Sequence, residues 1–227
     1  MFDTIEALGI VLDTSLIKEY DKRLVVLTEN LGRITVFANG ARRKNSQLTA
    51  VSQKFVMGSF KLRPSSQNTY TLMSAEISDT FIDLSYDIEK MAYASYVSEL
   101  AGYFTNDGIP AVDELNLLYV TYKTILKDQL SLPLIKSIFE CKLLDIEGLI
   151  SKDELDRVMR PSVISTDTSF VIEYILSRKI AETYSFKVSD KIIDEMSNIM
   201  TRYLKTQCDR HFKSLDILSS IFDYVPK

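Results

Sequence analysis

The hydrophobic period of this 227-residue chain changes once, near residue 80, from that of a strand to that of a helix. Strands repeat every two residues and helices every 3.6, so the chain must fold as two successive parts of different kind. In "GRITVFA", Arg33, Thr35 and Phe37 share one face while Ile34, Val36 and Ala38 share the other. "GIVLDTSLI" and "KRLVVLTE" are rich in β-branched residues and end in polar turns. Asn30 and Gly32, before "GRITVFA", tolerate the positive φ of a tight turn. After a longer connection, roughly 39–50, come "VSQKFVMGSFKLR" and "TYTLMSAE", parted by the turn cluster "PSSQN". Gly58 inside the longer strand predicts a bulge or sharp bend. Closing five antiparallel strands removes exposed edges, which predicts a small five-stranded barrel of the OB type over residues 1–78.

Residues 79–227 read as an all-α domain, making the whole an α+β chain of two domains. "DIEKMAYASYVSELAGYF" puts Ile88, Met91, Ala92, Ser95, Tyr96 and Leu100 on one stripe. "DELNLLYVTYKTILKDQL" follows Pro110, with Asp113 as expected N-cap. "LPLIKSIFECKLLDIEG" opens on Pro133 and closes at Gly148, the usual proline-start and glycine-stop asymmetry. "SKDE", Ser151 to Glu154, is a capping-box pattern, and Pro161 then breaks the chain. Two further helices, about 168–183 and 189–208, complete the expected domain.

Charge divides at the same place. The net charge is −4, yet residues 1–80 carry ten Lys/Arg against eight Asp/Glu, and residues 81–227 carry seventeen against twenty-three. Between Glu29 and Glu76 there is no acid, but there are seven cations: Arg33, Arg42, Arg43, Lys44, Lys54, Lys61 and Arg63. Three of them are adjacent in "ANGARRKNSQ". A short charge run is usually a solvated turn. Seven cations without compensating acid on a barrel of this type instead predict a phosphate-binding face.

No glycine motif of the P-loop or Rossmann kind occurs, so work on a nucleic acid would proceed without nucleotide hydrolysis by this chain. Cys141 and Cys208 are 67 positions apart, and with the lone His211 they offer no tetrahedral site of ordinary spacing. No metal or cofactor is expected. His211 reads as a surface histidine at a helix end, and the acids of "KDELDR" as a solvated first turn. No constellation looks catalytic. "MFDTIEALGIVLD" has no basic n-region and no long apolar core, so it is not expected to be a secretory leader; no apolar run reaches membrane-spanning length, and the lone thiols suit a cytoplasmic location. Tyr93, Tyr96, Tyr103 and Phe104 at helical spacing read as core rather than as base platforms. Phe37, Phe55, Phe60 and Tyr70 interleave with the cations. Each is a stacking platform if it points outward and packing if it points inward.

Four stretches together resemble the RecO family of recombination mediators: "GIVLDTSLIKEYDKRLVVLTENLGRITVFANGARRKNS", "MAYASYVSELAGYF", "FECKLLDIEGL" and "HFKSL". The resemblance covers nearly the whole chain. It implies an N-terminal OB domain, a helical C-terminal domain, and a DNA repair protein that binds single- and double-stranded DNA and anneals complementary strands. It further implies a nucleoid-associated protein that helps place recombinase on strands coated with single-strand-binding protein (SSB), with RecR and the acidic, hydrophobic-ended SSB tail as partners. Arg202, Lys205, Arg210 and Lys213 would receive acids of that tail, unless they only place favourable charge at helix C-termini. Many RecO-like sequences carry a four-cysteine zinc motif after the segment matching "DIEGL". Around 150–165 this chain has "ISKDELDRVMRPSVIST" instead, without cysteine, which implies a member lacking zinc. The other reading of the same features is an OB-fold RNA-binding module without annealing activity.

Overall fold

The computed structural model describes residues 3–66, 68–150 and 165–223. The first part holds five strands: β1 (Ile5–Ile17), β2 (Asp21–Thr28), β3 (Gly32–Ala38), β4 (Met57–Ser66) and β5 (Thr69–Asp79). They close as a barrel in the order β1-β2-β3-β5-β4, antiparallel except for the β3–β5 pair. This is the expected OB-type barrel. One helical turn, α1 (Leu48–Val51), lies between β3 and β4. The strand expected from residue 51 therefore begins only at Met57, because 48–51 closes i→i−4 bonds such as Ser52 N–H to Leu48 C=O.

Closure depends on β1, whose first half pairs with β4 and whose second half pairs with β2. Gly9 belongs to both ladders and faces Gly58 on β4. A Cβ on Gly9 would lie 2.5 Å from the Leu27 carbonyl oxygen, and one on Gly58 would lie 2.2 Å from that of Glu76. Only glycine admits so close a backbone approach, and the β4–β5 register shifts between Met57 and Gly58 as the bend requires. Inside the barrel pack Val11, Leu24, Val26, Ile34, Val36, Phe60 and Leu62, among others. Along β3 the burial alternates residue by residue as the sequence pattern demands.

The helical part contains α2 (Ile88–Phe104), α3 (Val112–Lys127), α4 (Leu132–Ile146), α5 (Thr166–Ser177), α6 (Asp190–Gln207) and α7 (Lys213–Asp223). The chain divides into two compact units, Met1–Tyr86 with Ser98–Leu115, and Asp87–Val97 with Asn116–Lys227. α2 departs from the expected single stripe. Ile88 and Met91 are exposed, while Ala92, Tyr93, Ala94, Tyr96, Val97, Leu100 and Ala101 are buried around most of its circumference. Asp113 lies inside the first turn of α3 rather than at its N-cap. α4 ends as expected at Gly148 (φ +66°), where Leu149 N–H donates to Leu144 C=O and Gly148 N–H to Asp145 C=O, a Schellman closure. α5 stops at Ser177, short of 183, and α7 is a further helix where only two were expected after Pro161. The "SKDE" and "KDELDR" stretches and Pro161 lie outside the described residues.

α5 is held at both ends by charges of the sign its dipole favours. At its N-terminus the Glu195 carboxylate of α6 accepts from the Ser165 N–H, the Ser165 hydroxyl and the Thr168 hydroxyl. Those bonds hold its carboxyl below the usual glutamate range, with Thr168 contributing most. At its C-terminus the buried Lys142 ammonium of α4 donates to the Leu176 carbonyl at 3.2 Å and pairs with Asp145 at 2.8 Å.

Candidate nucleic-acid interface

The loop after β3 presents its cations from a fixed backbone. Gly40 N–H donates to the Asp21 carboxylate at 2.7 Å, Arg42 N–H to the Tyr20 carbonyl at 3.0 Å, and Thr49 hydroxyl to the Ala41 carbonyl at 2.8 Å. Ala41 is fully buried in the barrel core. With the main chain so anchored, Arg42, Arg43 and Lys44 all remain exposed. The Arg42 guanidinium donates to the Glu19 carbonyl at 2.9 Å, and that of Arg43 lies 5.7 Å from the Tyr20 ring centroid. Among the described residues none of the three forms an ion pair. The loop therefore lies on the β1–β2 turn and joins its positive charge to that end of the barrel.

The other four expected cations separate. Lys61 and Arg63 are exposed on the outer face of β4, although Lys61 stands opposite Glu6 of β1. Arg33 is half-buried near the start of β3, where its N–H donates to the Asn106 carbonyl and Gly102 of α2 approaches its side chain. Lys54 is half-buried beside the Phe55 ring, and its ammonium faces Asp13 and Glu99. Burial lowers its pKa and the two acids oppose that shift. The interval free of acids along the chain is thus not free of acids in space. Asp13, Glu99 and Glu6 come from before Glu29 or after Glu76, where a linear reading cannot see them.

The four barrel aromatics also divide. Phe55 and Phe60 are fully buried, and Tyr70 packs against the barrel core. They are packing residues. Phe37 alone of the four lies on the outer face, half-buried between strands β2 and β5. Opposite it on β2 stands Arg23, exposed. Arg23 is absent from the expected set because it precedes Glu29. The alternation of "DKRLVVLT", with Lys22, Leu24 and Val26 buried, marks it as outward. Of the helical aromatics, Tyr93 and Tyr96 are buried, whereas Tyr103 and Phe104 are half-buried and meet edge to face.

In the second unit, Lys205 and Arg210 line a cavity of about 390 Å³ with Lys136, Tyr96, Leu204 and Phe212. Arg202 and Lys213 are exposed on the flanking helices α6 and α7. Lys205 stands in the last turn of α6, where a cation suits the helix dipole. Lys213 opens α7, so the dipole gives no reason for a cation there. Glu140, which also lines it, is fully buried, pairs with Lys136 at 2.7 Å and accepts from the Tyr96 hydroxyl. His211 is exposed, as expected, and bonds Asp216 at 2.8 Å. Among the described residues no group of three or more His, Cys, Asp or Glu is arranged to hold a metal ion, and no helix is long and apolar enough to cross a membrane. Residues 151–164 of the segment that stands in place of a zinc motif lie outside the described residues.

Comparison with known proteins agrees with this architecture. The family model described as recombination protein O, N terminal, matches residues 1–81, and its C-terminal counterpart matches residues 85–152. The DNA repair protein RecO of Acetivibrio thermocellus is 26% identical over 245 residues, covering 94% of this chain and 95% of that protein. That of Alkaliphilus metalliredigens is 28% identical over 243 residues, covering 94% and 98%. That of Bacillus pumilus is 34% identical over 153 residues, covering 67% and 58%.

Proposed function

Because this chain belongs to the RecO family of DNA repair proteins, we propose that it is a homologous-recombination mediator: it binds single- and double-stranded DNA, anneals complementary strands and, with RecR, helps load recombinase onto SSB-coated DNA. The observation that carries this reading is the anchored loop whose Arg42, Arg43 and Lys44 form no ion pair among the described residues. Two DNA strands repel, and cations that bind both reduce the repulsion while raising the local concentration of each strand. Arg33, Arg42, Arg43, Lys44, Lys54, Lys61 and Arg63 are the proposed contacts, with the loop and the outer face of β4 meeting phosphates first. Phosphate contacts position DNA without reading its sequence, which suits a protein that must pair any complementary strands. Pairing is then driven by base pairing itself. The protein acts as a binding module rather than an enzyme, in the cytoplasm at the nucleoid, and without a cofactor.

The functional division follows residues 1–78, for DNA, and 79–227, for protein partners. A cavity lined by Lys205 and Arg210 together with Leu204, Phe212 and Leu215 suits an acidic tail ending in hydrophobic residues, so these two cations, with Arg202 and Lys213 exposed on the flanking helices, are proposed to receive the SSB tail. The test is annealing of complementary, SSB-coated oligonucleotides followed by fluorescence transfer. Acceleration without ATP is expected. DNA binding without acceleration would refute mediation, and binding restricted to structured RNA would favour an RNA-binding module. Charge reversal at Lys205 and Arg210 should weaken binding of an SSB-tail peptide; unchanged affinity would remove that pocket from the proposal.

A further inference from the structure

The outer face of the barrel carries one row of side chains that the basic loop does not explain. The strand register aligns Arg23 of β2 with Phe37 of β3, Phe37 with Thr71 of β5, and Thr71 with Arg63 of β4. Arg23 and Arg63 are exposed, and Phe37 and Thr71 are half-buried. All four point away from the core, since their strand neighbours Leu24, Val36, Leu72 and Leu62 are buried. Adjacent strands lie about 4.8 Å apart, so an aromatic ring stands one strand from one arginine and two from another. The row runs between the β1–β2 turn and the β4–β5 turn, the two loops that flank the oligonucleotide face of an OB barrel.

Neither Arg23 nor Arg63 forms an ion pair among the described residues. Three acids lie close along the strands, and Glu6 stands opposite Lys61. Asp21 already accepts from the Gly40 N–H, and Asp13 faces Lys54. A half-buried phenylalanine between two free guanidinium groups is chemically matched to a nucleotide: the ring to the face of a base, the arginines to phosphates on either side.

We propose that Phe37, flanked by Arg23 and Arg63, is a base-stacking subsite for single-stranded DNA. The inference rests on the barrel being the DNA-binding domain and adds to it a contact that phosphate binding cannot supply. In a duplex each base face is covered by its neighbours, so only an unpaired, unstacked base can meet the ring. Phe37 would therefore favour single strands, while the loop cations serve both forms. Arg23 becomes a DNA-contacting residue although an acid follows it in the sequence.

The chain contains no tryptophan, which makes the test direct. In Phe37→Trp the introduced indole reports only from this position. Its emission should be quenched by saturating oligo-dT and remain unchanged with a blunt duplex of equal length. Phe37→Ala should weaken oligo-dT binding about five- to tenfold, the lower part of the range for one stacked base, with duplex affinity within about twofold of the parent. Its salt slope should equal that of the parent, because a ring releases no counterions. Arg23→Gln should instead weaken both forms and lower the single-strand slope by about 0.7. Unchanged oligo-dT affinity in Phe37→Ala, or a tryptophan that does not respond to oligo-dT, would overturn the subsite while leaving phosphate binding by the barrel intact. Failure of the parent chain to bind any DNA would remove both.

Discussion

Replacing Arg42, Arg43 and Lys44 together by alanine should change the salt dependence of DNA binding more than it changes the fold. Each phosphate neutralised on a single strand contributes about −0.7 to the slope of log K against log salt. The three loop cations stand at the same end of the barrel as Arg23 and Arg63, and five contacts would give the parent a slope of about −3.5. Removing three should leave about −1.4, a loss of roughly two units. Arg33, Lys54 and Lys61 are taken as weaker contacts and kept out of that sum for structural reasons, Lys61 because it stands opposite Glu6 of β1. Arg33 is half-buried four residues along β3 from Phe37, about 13 Å at the usual strand rise, and Lys54 already faces Asp13 and Glu99. Lys54→Ala should therefore lower the slope far less than the triple replacement does. Stability of the triple variant should fall by no more than about 1–2 kcal/mol, because the exposed Arg42 hydrogen bond and the Arg43–Tyr20 contact are each weak, while the main-chain anchors remain. The assay is fluorescence anisotropy of labelled oligo-dT from about 50 to 300 mM monovalent salt, with thermal melts alongside. Equal slopes for parent and triple variant would show that DNA does not cross the loop. A slope lowered as much by Lys54→Ala would show that the spatial sorting of the seven cations is wrong.

Gly58→Ala forces a Cβ to within 2.2 Å of the Glu76 carbonyl oxygen, a backbone atom that cannot step aside, and should cost about 3 kcal/mol; a melting temperature equal to the parent's would refute the closure argument. Glu195→Gln removes a carboxylate whose pKa is depressed in the folded state. Its contribution is therefore complete above the unfolded-state value near 4.5 and disappears as pH falls through the lower folded value. Parent and variant should differ in denaturant stability at pH 7 and converge in strong acid, and a gap that widens with acid would contradict the sign. Burial pushes the Cys141 thiol up to about 12, and burial with the nearby Asp209 and Glu140 carboxylates raises Cys208 to about 11. A thiol reagent at pH 8 should label the half-buried Cys208 slowly and Cys141 only after unfolding; rapid labelling of both would show a looser helical part.

What could be known from the sequence were the properties that a few neighbouring residues decide among themselves. The alternation in "GRITVFA" fixes which side chains of β3 face the core, because successive Cβ atoms point to opposite sides whatever the rest of the chain does. Gly148 terminates α4 because its own φ is positive. The basic loop was visible as a run of charges, and its exposure followed. α7 was not visible, since Phe212 precedes it where a capping residue would stand. Which of the barrel's cations meet acids, and which meet an aromatic ring, belonged to the tertiary structure alone. Which residues stand opposite one another depends on strand register, and here the register is set by two glycines meeting across β1 and β4 and by bulges in β4–β5. A slip of one residue would carry Phe37 inward and break its row with Arg23 and Arg63. Likewise Lys54 meets Asp13 and Glu99 only because the folded chain brings together residues far apart in sequence. A linear charge count places no acid beside Lys54, since electrostatic attraction falls off with distance in space and takes no account of separation along the chain.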